Sequence, residues 1–235
     1  MKVGEAYHNQ GFSTTAYVAP LLRGLLGLAP DAPAGRLTFA PALPADWDFV
    51  RVNRVPLGGR RVNLSLRRIA TGLTLEAALA DGDPMELVFR PLLPPGTRVA
   101  GLRVDGRAAT PAVAACPRGV SAACTVRLAG AVRIELILDE PPAVFLLPAE
   151  SAVGDSDRGP RVIDQAWTGD GLRVELAGRP GTAYALGVTQ PERLGAVAGA
   201  ALRDGRLLFT IPGEPGETFG PHVITFAITP RKETP

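Results

Sequence analysis

Over most of this chain the apolar residues fall at every second position, and a polypeptide patterned that way has to build sheets. Val62, Leu64 and Leu66 alternate with Asn63, Ser65 and Arg67, and Leu73 and Leu75 with Thr74 and Glu76. Val132, Ile134, Leu136 and Leu138 alternate with Arg133 and Glu135. Side chains of an extended strand point alternately to its two faces, so each segment has one apolar and one wet face. Gly58-Gly59, Asp81-Gly82, Asp105-Gly106, Gly169-Asp170-Gly171 and Asp204-Gly205 separate the segments. Gly and Asp tolerate the left-handed backbone of tight hairpins, so these are turns. No helix-length crossover lies between the strands, which disfavours parallel βαβ units. The fold class expected is mainly β, one or two antiparallel β-sandwich domains preceded by a single N-terminal helix.

That helix is the only one the pattern predicts. Between Ser13 and Leu28, Val18, Leu21, Leu22, Leu25 and Leu26 recur at three and four, the period of one helical face. Ser13 or Thr14 can cap its start, Gly27 and Pro30 can end it, and Pro20 and Gly24 inside it predict a kink. One amphipathic helix cannot bury its own stripe, and each aliphatic side chain left in water forgoes roughly 1.5 to 3 kcal/mol. The stripe needs a partner, either the following sheets or helices that this chain lacks. Pro30, Pro33, Pro41 and Pro44 then read as a linker.

A chain of 235 residues holds one large β domain or two of about 100 residues. Spacing favours two. At an offset of 99 residues, Gly72-Leu73 and Glu76 fall on Gly171-Leu172 and Glu175, Met85 and Leu87 on Tyr184 and Leu186, and Asp105-Gly106-Arg107 on Asp204-Gly205-Arg206. Ile134 to Leu138 matches Ile224 to Ile228 at offset 90, as if the first copy carried an insertion containing the Cys116 to Cys124 loop. The expected organisation is therefore a terminal helix and linker over 1–35, a first sandwich over 36–140 and a second over 141–235, split near Pro141-Pro142. Chance recurrence of Asp-Gly turns and alternating strands is the alternative to duplication.

Lys plus Arg total 25 and Asp plus Glu 23, scattered singly, so no basic stripe offers itself to nucleic acid. With 46% hydrophobic and 20% charged residues the composition is that of a soluble globular protein. No run approaches the roughly 18 apolar residues of a membrane span. Residues 1–12 are too polar for a signal-peptide core; that weighs little if Met1 is an internal cut, in which case a parent protein would be periplasmic or secreted. Cys116 and Cys124 flank a Pro/Gly-containing loop that would bring two strand ends together, so the spacing allows a local disulfide, with free thiols as the alternative. A metal site is disfavoured, because the nearest histidines are His8 and His222 and no second Cys pair exists to complete four ligands, and no cofactor motif is present.

Catalytic signals are sparse. Neither histidine has a neighbouring nucleophile, and Ser151 and Ser156 lack a glycine-flanked elbow. The informative segment is GEAYHNQGFSTTAYVAPLLRGLLGL followed by DAPAGRLTFAPALPADWDFV. It resembles the end of the catalytic module in bacterial six-hairpin helical-toroid glycoside hydrolases of the glucoamylase-like and glycogen-debranching (amylo-α-1,6-glucosidase) type. There a polar segment with a Gln and a Ser or Thr leads into a final barrel helix ending in a run like Arg23 to Leu28, and a loop like Ala40 to Trp47 opens a β-rich tail. The resemblance covers residues 5–48 and is generic beyond.

Such enzymes set two carboxylates across a sugar ring, one acid and one base. The resemblance places the acid upstream of every residue here and leaves Glu5 as the one residue corresponding to the base. His8, Gln10 and Ser13 would line the barrel mouth on the substrate side. The simpler reading makes Ser13 a helix cap and His8 and Gln10 terminal polar residues. Carbohydrate is the candidate small ligand, although aromatics are only 6% of the chain, and Trp47, Trp167 and Tyr184 each fit a core or interdomain anchor.

The expectation is thus an accessory or scaffolding β-rich region of a glycoside-hydrolase-like protein, without activity alone. Its partner would be the helical catalytic module of the parent, or a second copy through residues 16–28. A free-standing carbohydrate-binding module and a small hydrolase with an unrecognised site are the alternatives.

Overall fold

The computed structural model describes residues 16, 18–148, 159–214 and 219–229. They form a mainly β protein whose strands segregate into two units, each with its own apolar cluster.

The leucine-rich segment is helical at residues 16, 18 and 19 and then widens into a π-helical turn, Pro20–Leu25. Pro20 has no N–H, and its ring crowds the carbonyl one turn back. The Leu26 N–H accordingly reaches the Leu21 carbonyl, five residues back, at 2.9 Å. Gly27 stops the helix with φ +58, and a Cβ there would lie 2.1 Å from the Ala40 carbonyl oxygen. Leu28 and Pro30, expected as helix end and linker, instead belong to strand β1 (Leu28–Asp31). β1 is the edge of its sheet and pairs on one side only, with β2 (Arg36–Phe39). A proline without an N–H is tolerated on such an edge, so it did not preclude a strand.

The first unit continues through β3 (Phe49–Leu57), β4 (Arg60–Ile69), β5 (Gly72–Asp81), β6 (Met85–Phe89) and β7 (Leu92–Leu93). β8 (Arg98–Val104), β9 (Arg107–Ala109), β10 (Ala112–Cys116), β11 (Gly119–Leu128) and β12 (Ala131–Asp139) complete it. One sheet runs β1-β2-β6-β11-β10, with β7 also on β11, and the other runs β3-β4-β5-β12-β8-β9. The alternating leucines of β4, β5 and β12 meet Leu37, Phe39, Leu87 and Phe89 in one cluster between the two sheets, a β-sandwich-like arrangement. Phe39 and Phe89 stack with centroids 6.0 Å apart. Their strands, β2 and β6, make a parallel pair against the antiparallel expectation. The connection between them is three strands of the opposite sheet rather than a helix, a route that the absence of helices did not rule out.

The wet faces carry charges in mutual contact, as on a solvated surface: Arg133 reaches Glu76 at 3.5 Å and Glu135 at 2.9 Å.

The second unit comprises β13 (Val144–Leu146), β14 (Arg161–Trp167), β15 (Gly171–Gly178), β16 (Ala183–Val188), β17 (Leu194–Ala198), β18 (Ala201–Arg203), β19 (Arg206–Thr210) and β20 (Gly220–Ile228). Its sheets run β13-β16-β19-β18 and β14-β15-β20-β17.

The two units share a seven-strand arrangement, although β13 lies antiparallel to β16 whereas β2 lies parallel to β6. β4-β5-β12-β8 corresponds to β14-β15-β20-β17, and β6-β11-β10 to β16-β19-β18. The register agrees as well: Leu75 pairs with Ile134, and Val174, 99 residues beyond Leu75, pairs with Ile224, 90 residues beyond Ile134. The same offsets relate two loop closures, Leu138 N–H to the Thr71 carbonyl at 2.9 Å and Ile228 N–H to the Asp170 carbonyl at 2.8 Å. One equivalence fails. Asp105-Gly106 turns β8 into β9, whereas Asp204-Gly205 turns β18 into β19, the counterpart of the Cys116 to Gly119 hairpin. The material extra to the first unit here is β9 and a longer β10–β11 hairpin.

That hairpin also corrects the disulfide. Cys116 pairs with Gly119 across the turn, while Cys124 lies five residues further along β11, beside Phe89 of β6. Five residues of strand span roughly 16 Å, beyond the Cα separation of about 7 Å that a disulfide can bridge. Both are free thiols.

Candidate functional site: a cleft between the two units

β12 stops at Asp139 because Pro141 and Pro142, just past Glu140, have no N–H to give a ladder. The chain crosses here from the first apolar cluster to the second, and Glu140 is left at the junction. From the second unit, Gln190 adopts a left-handed backbone (φ 50) and Pro191 opens a short 3-10 turn ending at Arg193. That turn aims Arg193 back at Glu140.

Arg193 is buried, and its guanidinium binds several groups at once. Nη1 donates to the Glu140 carbonyl at 2.6 Å and to Gln190 Oε1 at 2.9 Å, Nε donates to the Thr229 carbonyl at 3.4 Å, and Asp139 lies 3.3 Å away. Asp139 is held from its other side by Arg98 at 3.1 Å. Glu140 pairs through Oε2 with Nη1 of Arg68, at the end of β4. These two side chains are only 14% and 19% exposed, yet Glu140 Oε1 and Arg68 Nε are buried without hydrogen-bond partners. Each member of the ion pair therefore uses only part of its bonding capacity.

A cavity of about 660 Å³ opens over this cluster, lined by Asp48, Arg68, Glu140, Gln190, Glu192 and Arg193, with Ile69, Pro94 and Leu138 as apolar wall. A second, of about 540 Å³, adjoins it and shares Ala45, Pro94 and Ala143. Its character differs. Trp47, Phe145 and Leu146 form its sides, and Asp46, Arg118 and Gln165 supply polar groups. The Pro44 carbonyl accepts from the Trp47 N–H at 3.1 Å, and this tight turn brings Trp47 to the surface, 39% exposed. The two neighbouring cavities at the junction thus differ, one charged and the other aromatic.

Trp167 of β14 is a contact between the units. A Cβ on Gly96 of the first unit would lie 2.6 Å from its ring, so the indole lies directly on that glycine. Tyr184 is anchored within the second unit: its hydroxyl accepts from the Arg179 N–H at 2.9 Å and its ring leans on Phe209.

Glu5, His8, Gln10 and Ser13 lie outside the described residues. His222 is structural, its ring stacked on Phe209 with centroids 5.1 Å apart and its Nε2 donating to the Gly199 carbonyl at 2.6 Å. Among the described residues no group of three or more His, Cys, Asp or Glu could hold a metal ion, and no helix is long and apolar enough to cross a membrane. Burial raises the Cys124 thiol above its ordinary pKa, which disfavours the nucleophilic thiolate.

Sequence reasoning missed Arg68, Glu140 and Arg193. One signal was available: Glu140 immediately precedes Pro141, and Arg193 follows Pro191 by two residues, so both stand at prolines that end or begin an element. No family model, curated protein or solved structure matches the chain.

Proposed function

We propose that this chain is the β-rich accessory region of a glycoside-hydrolase-like protein, which docks and steadies a helical catalytic module and has no activity by itself. The observation that carries the reading is the split character of the leucine-rich segment. Leu26 and Leu28 are buried in the first unit's core, while Val18, Leu21 and Leu22 remain exposed and no residue of Pro20–Leu25 is buried. The segment is thus anchored at one end and presents aliphatic side chains outward at the other, as an element completed by neighbours would. The resemblance over residues 5–48 supplies the kind of neighbour, a helical toroid, and the pairing of Glu5 with an acid carried elsewhere.

Light scattering of the full chain beside the double variant Leu21→Glu/Leu22→Glu tests this. Without its helical partner, the chain is expected to self-associate with rising concentration, and the double variant to stay monomeric with the same melting temperature. Monomeric behaviour of the unaltered chain at high concentration, with no binding of a hydrophobic dye that the substitutions remove, would sink the reading.

A further inference from the structure

We propose that the open edge of β10 accepts an extended segment of a partner polypeptide as one more strand, and that this segment carries acidic residues at both ends. β10 (Ala112–Cys116) ends its sheet and pairs only with β11. On the far side of β11, the Ala122 N–H reaches the Pro91 carbonyl at 3.4 Å. Val113 stands opposite Ala122, and opposed antiparallel residues either exchange both their bonds or neither. The N–H and C=O of Val113, and by alternation those of Ala115, therefore point away from β11 into the open. Pro111 and Pro117 have no N–H, so they confine pairing to the stretch between them.

The other strands that end a sheet are blunted, as exposed edges usually are. β1 and β3 contain Pro30 and Pro56, β9, β13 and β18 are three residues long, and β14 and β17 have broken registers. β10 has five residues, an unbroken register and neither proline nor charge. Its counterpart in the second unit is the short β18, so the longer hairpin of the first unit adds a pairing edge that the repeat lacks. Val113 is exposed although it faces the same way as buried Ala122, and a strand laid beyond it would cover it.

Charge selects the occupant. From Gly106 to Ile134 the chain contains no Asp or Glu, and Arg107 and Arg118 stand before and after β10. Two copies of β10 paired antiparallel would set the Arg118 end of each against the Arg107 end of the other, like charge on like. A foreign strand with acidic ends meets the opposite sign at both. β10 also lies at the opposite end of its sheet from β1, which follows the leucine-rich segment, so this surface is separate from the docking role proposed above.

The test is fluorescence anisotropy of a labelled peptide of alternating valine and threonine, with a pair of glutamates at each end, titrated with the full chain. Saturable binding with a Kd of about 100 μM or tighter is expected. N-methylation of alternate peptide nitrogens, in one of the two possible phases, should weaken it by roughly tenfold, and so should lysines in place of the glutamates. Ala115→Pro removes an N–H that no strand of the chain uses, and should weaken binding by about tenfold with the melting temperature unchanged. Should that variant fail to fold, the methylated peptides against the unaltered chain decide the matter. Absence of saturable binding, or equal binding by both methylated phases, by the lysine peptide or by folded Ala115→Pro, would overturn the proposal. So would self-association of Leu21→Glu/Leu22→Glu that Ala115→Pro abolishes, because the edge would then hold a second copy.

Discussion

Arg193 donates from Nη1 to the backbone carbonyl of Glu140 at 2.6 Å, and 53 residues of chain separate the two. The donor belongs to the second unit and the acceptor ends the last strand of the first, so this bond and its neighbours clamp the units in one orientation. The cleft exists because of that orientation.

Arg193→Ala should therefore loosen the junction more than it harms either core. It leaves Asp139 and the Glu140 carbonyl short of a partner, and removing one side of a buried pair costs about 3 kcal/mol or more. Urea unfolding should separate into two transitions, and hydrogen exchange should quicken at residues 189–193. Arg193→Lys should not restore the behaviour, because a single ammonium cannot span the several acceptors that a guanidinium reaches. One unaltered cooperative transition in the alanine variant would show that the clamp does not couple the units.

The repeat predicts paired sensitivities. A Cβ on Gly72 would lie 2.0 Å from the Leu136 carbonyl oxygen, and one on Gly171 would lie 2.3 Å from that of Phe226. Gly72 is also at φ +137, where L side chains are strained. Gly72→Ala and Gly171→Ala should each destabilise their own unit by about 3 kcal/mol or more. Gly130→Ala, with nothing within 4 Å, should stay within about 0.5 kcal/mol. Denaturant midpoints measure all three, and a neutral Gly171→Ala would contradict the equivalence of the two sites.

In the leucine-rich segment, position should matter more than residue type. Leu26→Ser places a hydroxyl in the core and should cost about 3 kcal/mol, while Leu22→Ser should change stability by less than about 0.5 kcal/mol. Equal losses in thermal unfolding would mean that the helix stripe is covered after all.

Cys124 should titrate late. Its pKa is raised because burial penalises the thiolate, so the folded state holds the proton more tightly than the unfolded chain. Stability from this group is fully present at neutral pH and falls as pH rises past the ordinary thiol range towards the folded pKa. Alkylation should mark Cys116 well before Cys124, the gap narrowing as pH rises, and mild oxidation should form no bond between them within one chain. Mapping the labelled peptides checks this; rapid alkylation of Cys124 at neutral pH would refute it.

How much of this was legible beforehand depended on the range of the forces involved. The alternation at Val62 to Leu66 and Val132 to Leu138 fixed which faces are buried, and Asp105-Gly106 and Asp204-Gly205 fixed turns, because strand pleating and left-handed backbone are set within a few residues. The stop at Gly27 was legible for the same reason. Pro30 misled because its cost depends on whether a neighbour needs its N–H, and only the edge position of β1 settled that.

Local pattern thus determined the mainly β class, the turns and the inward faces, through sterics and solvent acting over a handful of residues. Folding in three dimensions decided the rest: that Cys116 and Cys124 lie far apart along a hairpin, that β2 runs parallel to β6, and that Arg68, Glu140 and Arg193 converge at the junction of the two units. Those outcomes rest on contacts between residues tens of positions apart, fixed by which sheet edges and which units pack together, and no short-range period encodes that choice.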